Sequence, residues 1–171
     1  MVYFKKYGVP AIFVGFLVFL DQWTKWLAVR HLAPLYEFAP PRDVELIGGL
    51  LRLTYLENHG MAFGLMQGHT WIFIVLTIII VPGLAYWYFK TKPVDLASKL
   101  YRVALLMLIG GALGNFFDRV LNYGGGVVDF IRIEFFPFVF NVADIFVVVP
   151  VVSLLVLTFF MKDEAKDAKK D

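Results

Sequence analysis

The sequence predicts an all-α membrane protein: four transmembrane helices with a small extracytoplasmic β-cradle, in a single integral membrane domain. Three observations lead there. First, the 171 residues are 60% apolar and only 18% charged, with a mean hydropathy of +0.72, whereas soluble domains are about 45–50% apolar and about 25% charged. A water-soluble globule of this size would carry more apolar surface than it could bury. Second, four runs are long enough for a bilayer core about 30 Å thick, which takes roughly 20 apolar helical residues. Third, two short segments between those runs alternate apolar and polar residues, as half-buried strands do.

The first span runs from about Val9 to Val29. The Lys5-Lys6 pair ahead of it is how a secretory signal begins, but no A-x-A-like cleavage site follows, and Asp21 and Lys25 stand inside the run. It therefore reads as a retained span rather than a removed leader. An outer segment, about 31–70, opens with Pro34, Pro40 and Pro41 and then offers Leu50 to Leu56, where Leu51, Leu53 and Tyr55 alternate with Arg52 and Thr54. The second span covers about Trp71 to Phe89 and the third about Leu100 to Leu121. A shorter outer segment, about 122–138, holds Gly124-Gly125-Gly126 and a second strand candidate, Val127 to Ile133. The fourth span covers about Val139 to Met161. Pro10, Pro82 and Pro150 lie in or near these spans, where proline is better tolerated than in soluble helices. The mixed-charge tail from Lys162 to Asp171 reads as a solvated, partly disordered end.

Four spans put both termini on one side, and the bases say which. Lys5, Lys6, Lys90, Lys92, Lys99, Arg102, Lys162, Lys166, Lys169 and Lys170 are ten of the sixteen and share that side. By the positive-inside rule it is the cytoplasm. A net charge of +2 implies no nucleic-acid partner. With no cysteine, thiolate nucleophiles, zinc ribbons and iron–sulfur clusters are excluded together. Ser98 and Ser153 have no G-x-S-x-G context, and His31, His59 and His69 lack metal-motif spacing. No metal and no cofactor is expected.

An ionisable group in or beside a span is expensive unless paired or wet, and so is a candidate for function. The short list is Asp21, Lys25, Asp118, Arg119, Asp129 and Asp144. At about 1.5 Å rise per residue, all six fall in one layer near the outer interface. Asp21 and Lys25, spaced i,i+4, read as a helix-stabilising pair at least as readily as a catalytic one. Asp118 and Arg119 suit packing at a helix C-terminus. Asp129 and Asp144 have no basic neighbour in sequence. Two carboxylates held close cannot both ionise cheaply, so one keeps a proton and the other stays charged, which is the acid and base of aspartic peptide hydrolysis. A proton-coupled or ion transporter using Asp21, Asp118 and Asp144 is the alternative, although carboxylates at several depths would suit it better. A non-catalytic scaffold with a lipid-facing groove is a third possibility.

Five motifs in order sharpen this: Asp21-Gln22-Trp23-Thr24-Lys25, Asn58-His59-Gly60-Met61-Ala62-Phe63-Gly64, Gly110 to Arg119 (GGALGNFFDR), Val128-Asp129-Phe130, and Phe140-Asn141-Val142-Ala143-Asp144. With them, the chain resembles the bacterial lipoprotein signal peptidases, the signal peptidase II family, over nearly its full length. The resemblance implies an aspartic endopeptidase of the bacterial cytoplasmic membrane, its site near the outer leaflet. It would remove the signal peptide from a diacylated prolipoprotein by cutting before the lipid-modified cysteine. On matching positions Asp129 and Asp144 would be the catalytic pair. Asn58, Asn115, Arg119 and Asn141 would hold substrate backbone or orient the pair, with Asp21, Lys25, Gly60 and Asp118 in support. Membrane lipid, a globomycin-type cyclic peptide inhibitor and sufficiency of a monomer are also implied. Met61, where a small residue is frequent, and Ile145, where serine is common, depart from the family pattern.

Overall fold

The computed structural model describes residues 3–35, 40–60, 68–122 and 125–167, with side chains of the last helix described as far as 156. Met61, Ala62, Phe63 and Gly64 of the second motif, Gly124 of the glycine run and residues 168–171 of the tail lie outside these residues. A π-helical turn, Phe4–Gly8, leads into α1 (Val9–Leu32). Then come β1 (Val44–Glu45), β2 (Leu51–Asn58), α2 (Thr70–Lys90), α3 (Leu96–Leu121), β3 (Val127–Ile133), β4 (Val139–Phe140) and α4 (Val142–Asp167).

Three helices are long and apolar enough to cross a membrane: Phe4–Leu32, with the π-helical turn, Thr70–Lys90 and Leu96–Leu121. The fourth element differs from expectation at its start. Val139 and Phe140 pair with β3 instead of opening a span, and the described apolar part of α4 is the shorter Val142–Val156. Asn141 causes the break: its side chain accepts the Asp144 N–H at 3.0 Å and the Asp144 carboxylate accepts the Asn141 N–H at 3.1 Å. This reciprocal cap starts a helix at the next residue, and apolar composition does not register it. At the other end the backbone stays helical to Asp167, beyond the start of the charged tail at Lys162, because Lys, Glu and Ala are good helix formers. Likewise α3 begins four residues ahead of Leu100, where Asp95 and Ser98 form a capping box (Ser98 N–H to Asp95 Oδ1, 2.7 Å; Asp95 N–H to Ser98 Oγ, 3.0 Å).

Helix α3 packs against α1, α2 and α4. Its approach to α1 and α4 depends on glycine, since a β-carbon on Gly111 would stand 2.5 Å from the Ala143 carbonyl oxygen, and one on Gly114 2.5 Å from Asp21 Oδ2. Small residues bring membrane helices together in this way. On the α2 side, Leu105, Leu106 and Ile109 pack with Tyr88. Arg102 closes that hairpin by donating to the Tyr88 and Thr91 carbonyls at 2.9 and 2.6 Å, which satisfies carbonyls that the end of a helix leaves without partners.

The strands form one antiparallel sheet in the order β1-β2-β3-β4. The two segments that alternate in sequence are its long central strands, with an irregularity between Leu53 and Leu56. Val128 and Phe130 of β3 pack on Ala28 and Leu32, so the sheet rests on the far end of α1. Outward-facing side chains such as Phe16, Ile79 and Val148 are more than half exposed, an apolar surface suited to lipid. The chain is a multi-pass membrane protein.

Candidate active site

The site grows from the last turns of α1. Asp21, Gln22 and Lys25 point into α3, and Asp21 and Lys25 are 0% and 3% exposed. The Lys25 ammonium spends its three protons on Asp21 Oδ2 at 2.8 Å, Asp118 Oδ2 at 3.0 Å and Asn115 Oδ1 at 2.9 Å. Gln22 Nε2 donates to Asp118 Oδ1 at 2.6 Å, the Gly114 carbonyl at 3.1 Å and Asp21 Oδ2 at 3.2 Å. Sequence reading had quoted Gln22 within its motif without a role; the only local signal was an amide beside Asp21 inside an apolar run.

This buried cluster reaches two further elements through backbone N–H groups. Asp118 Oδ2 accepts from Val128 N at 3.1 Å, one residue before Asp129. Asp21 Oδ1 accepts from Ala143 N at 2.9 Å, one residue before Asp144. The cluster thus fixes the chain directly ahead of each remaining carboxylate.

Those two carboxylates are held by amides. Asp129, at 2% exposure, accepts from Asn141 Nδ2 at 2.6 Å and from Asn58 Nδ2 at 3.0 Å. Asp144 Oδ1 accepts from Asn115 Nδ2 at 2.8 Å. Asn141, 0% exposed, joins them: besides capping α4 it donates to Asn115 Oδ1 at 3.1 Å. Gly60 N–H donates to Asn58 Oδ1 at 3.0 Å, so the Asn58 amide nitrogen is turned toward Asp129. Arg119 donates to its own helix at the Asn115 carbonyl, 3.1 Å, and stacks 4.8 Å from the centre of the Phe73 ring. Its charge acts on Asp144, Asp129 and Asp118.

Burial, and next the Asp144 charge, push the Asp129 carboxyl up to about 7, against the pull of the Asn58 and Asn141 amides and of Lys25. It is therefore a group whose proton is exchangeable near neutrality. An apolar cavity of about 290 Å³ opens beside Asp144, between α4 (Ile145, Val148, Val149) and the β3–β4 turn (Phe135, Phe136). Among the described residues no group of three His, Cys, Asp or Glu is arranged to hold a metal ion. The serine hydroxyls are occupied in helix caps and turns: Ser98 in the α3 box and Ser153 on the Val149 carbonyl at 2.7 Å. All ten residues singled out in sequence fall in this one connected site.

Comparison with known proteins agrees. The family described as signal peptidase (SPase) II matches residues 13–160. The chain is 44% identical over 150 residues to a lipoprotein signal peptidase of Caldanaerobacter subterraneus subsp. tengcongensis, covering 87% of this chain and 94% of that one. A lipoprotein signal peptidase of Halalkalibacterium halodurans is 39% identical over 158 residues, covering 91% and 92%. A solved bacterial membrane enzyme superposes with a TM-score of 0.74 at 32% identity over 94% of this chain and 92% of that one, and a second with 0.73 at 31% over 89% and 93%. A carboxylate pair caged by asparagines at one end of a small membrane bundle, and a family match across most of its length, lead to one assignment: the chain belongs to the signal peptidase II family of peptidases.

Proposed function

We propose that the chain is an aspartic endopeptidase that removes the signal peptide from diacylglyceryl-modified prolipoproteins, cleaving before the lipid-modified cysteine. The observation that carries this is the joining of Asp129 and Asp144 through Asn141, from a strand and a helix start adjacent in space. One carboxyl with a proton near neutrality and one that is charged can polarise a peptide carbonyl and activate a water together. The apolar cavity beside Asp144 suits a substrate that arrives sideways from lipid.

In this proposal α4 is the fourth span, both termini are cytoplasmic and the site faces the outer leaflet of the bacterial cytoplasmic membrane. Aromatic residues support that placement. Tyr3, Tyr7, Tyr86, Trp87 and Phe89, with Lys5, Lys6 and Lys90, lie at one end of the bundle, and Trp23, Trp26 and Trp71 at the other, as interfacial belts do. A single chain carries every group of the site, so a monomer suffices.

The test is a gel-shift assay on diacylated prolipoprotein in membranes or detergent. Asp129→Asn and Asp144→Asn should each fold and fail to cleave, and a globomycin-type cyclic peptide should block the unaltered enzyme. A chelator should leave turnover unchanged; activity lost to the chelator and restored by zinc would sink the aspartic reading.

A further inference from the structure

We infer that the two carboxyls divide the work unequally: Asp129 holds the shared proton in the resting enzyme, and Asp144, at the head of α4, is the charged base that accepts a proton from the attacking water. This rests on the aspartic reading above. Asp144 is the third residue of α4, where the helix dipole favours an anion. One of its oxygens takes a backbone N–H, from Asn141 at 3.1 Å. The other takes Asn115 Nδ2 at 2.8 Å, and that amide is polarised from its far side by the Lys25 ammonium at 2.9 Å. Arg119 acts on Asp144 more than on Asp129, and Asp144 is only half-buried, within reach of water.

Asp129 has none of these supports. It sits in mid-strand, nearly sealed, held by two neutral side-chain amides. The charged groups that bear on it are Asp144 from α4, Lys25 from α1 and Arg119 from α3; β2 offers Asn58, since its Glu57 turns to His59 and Gly126. A carboxyl oxygen has two lone pairs, so the amide contacts leave room for a proton on Asp129. Its elevation to about 7 agrees with that placement.

The cycle then balances. The water oxygen adds to the scissile carbonyl carbon while Asp144 takes one water proton and Asp129 gives its proton to the carbonyl oxygen, which leaves a neutral gem-diol. The carbon–nitrogen bond breaks as Asp144 returns its proton to the departing nitrogen and Asp129 recovers one from a gem-diol hydroxyl. Both carboxyls end as they began.

The test is carbon NMR of the full chain in lipid bicelles, with aspartate labelled at the carboxyl carbon and titrated between about pH 5 and pH 8. Resonances are assigned by their loss in Asp129→Asn and Asp144→Asn; Asp129→Glu and Asp144→Glu remove the same label if an Asn variant does not fold. The Asp129 resonance should move with a midpoint near 7, while that of Asp144 stays at its ionised position. In the unaltered enzyme kcat/KM should fall about tenfold per pH unit above the same midpoint. The assignment is overturned by a titrating Asp144 beside an ionised Asp129, or by both resonances moving together. Cleavage assays separate the two ideas: activity surviving in both Asn variants removes the aspartic reading, whereas a reversed spectrum with cleavage lost in both removes only the proton assignment.

Discussion

Two pairs of aspartates lie side by side in this bundle and behave as opposites. Asp21 and Asp118 enclose Lys25, and every proton of that ammonium is used. Asp129 and Asp144 enclose no cation in ion-pair contact among the described residues and are held by Asn58, Asn115 and Asn141. The chemistry of the side chains is the same; the partner decides the outcome. A lysine makes two buried carboxylates into a closed strut, since removing any member leaves an uncompensated charge. Neutral amides fix the geometry of two carboxylates without cancelling their charge, so their repulsion remains and holds a proton in play. The first pair stands behind the second, fixing the N–H groups of Ala143 and Val128 just ahead of Asp144 and Asp129.

The largest effect expected is on turnover. Asp144→Asn or Asp129→Asn should lower kcat by at least about 10³-fold, measured as prolipoprotein processing, while thermal unfolding of the variant stays near that of the parent. A comparable loss of rate from Asp21→Asn in folded protein would erase the distinction between the pairs. In the strut, Lys25→Met should cost about 3–5 kcal/mol of stability, read from the unfolding midpoint, with the folded fraction retaining cleavage.

A pH experiment sharpens the contrast. Asp129 has a folded pKa raised from 3.8 to about 7, so the unfolded chain releases this proton first. Its effect on stability should therefore be unfavourable and grow as pH rises from about 4 to about 7, by a few kcal/mol at most. Denaturant titrations at several pH values should show that slope and its loss in Asp129→Asn. Smallest is Gly114→Ala, whose methyl meets Asp21 Oδ2; about 1–3 kcal/mol of destabilisation is expected for overpacking there, and an unchanged melting curve would mean α1 and α3 can part without loss.

Much of this could be read along the chain. The alternation of Leu51, Leu53 and Tyr55 marked β2, and Val127 to Ile133 marked β3, because a period of two is a local property. Asp21 and Lys25 could be paired by their i,i+4 spacing. The beginning of α4 could not be read from hydropathy, since Val139 and Phe140 are as apolar as the helix that follows and only the cap on Asn141 separates them. Asp118 looked like packing beside Arg119 because its real partners, Gln22 and Lys25, are more than ninety positions away.

By itself the sequence determined the membrane class, the two central strands and the short roster of polar residues, since an apolar run or an isolated carboxylate within one depends only on neighbours in the chain. Tertiary structure alone decided which aspartates share a lysine and which share asparagines. That choice rests on contacts such as Ala143 N to Asp21, spanning 122 residues, and on backbone N–H groups, which every residue type but proline carries and no sequence pattern distinguishes.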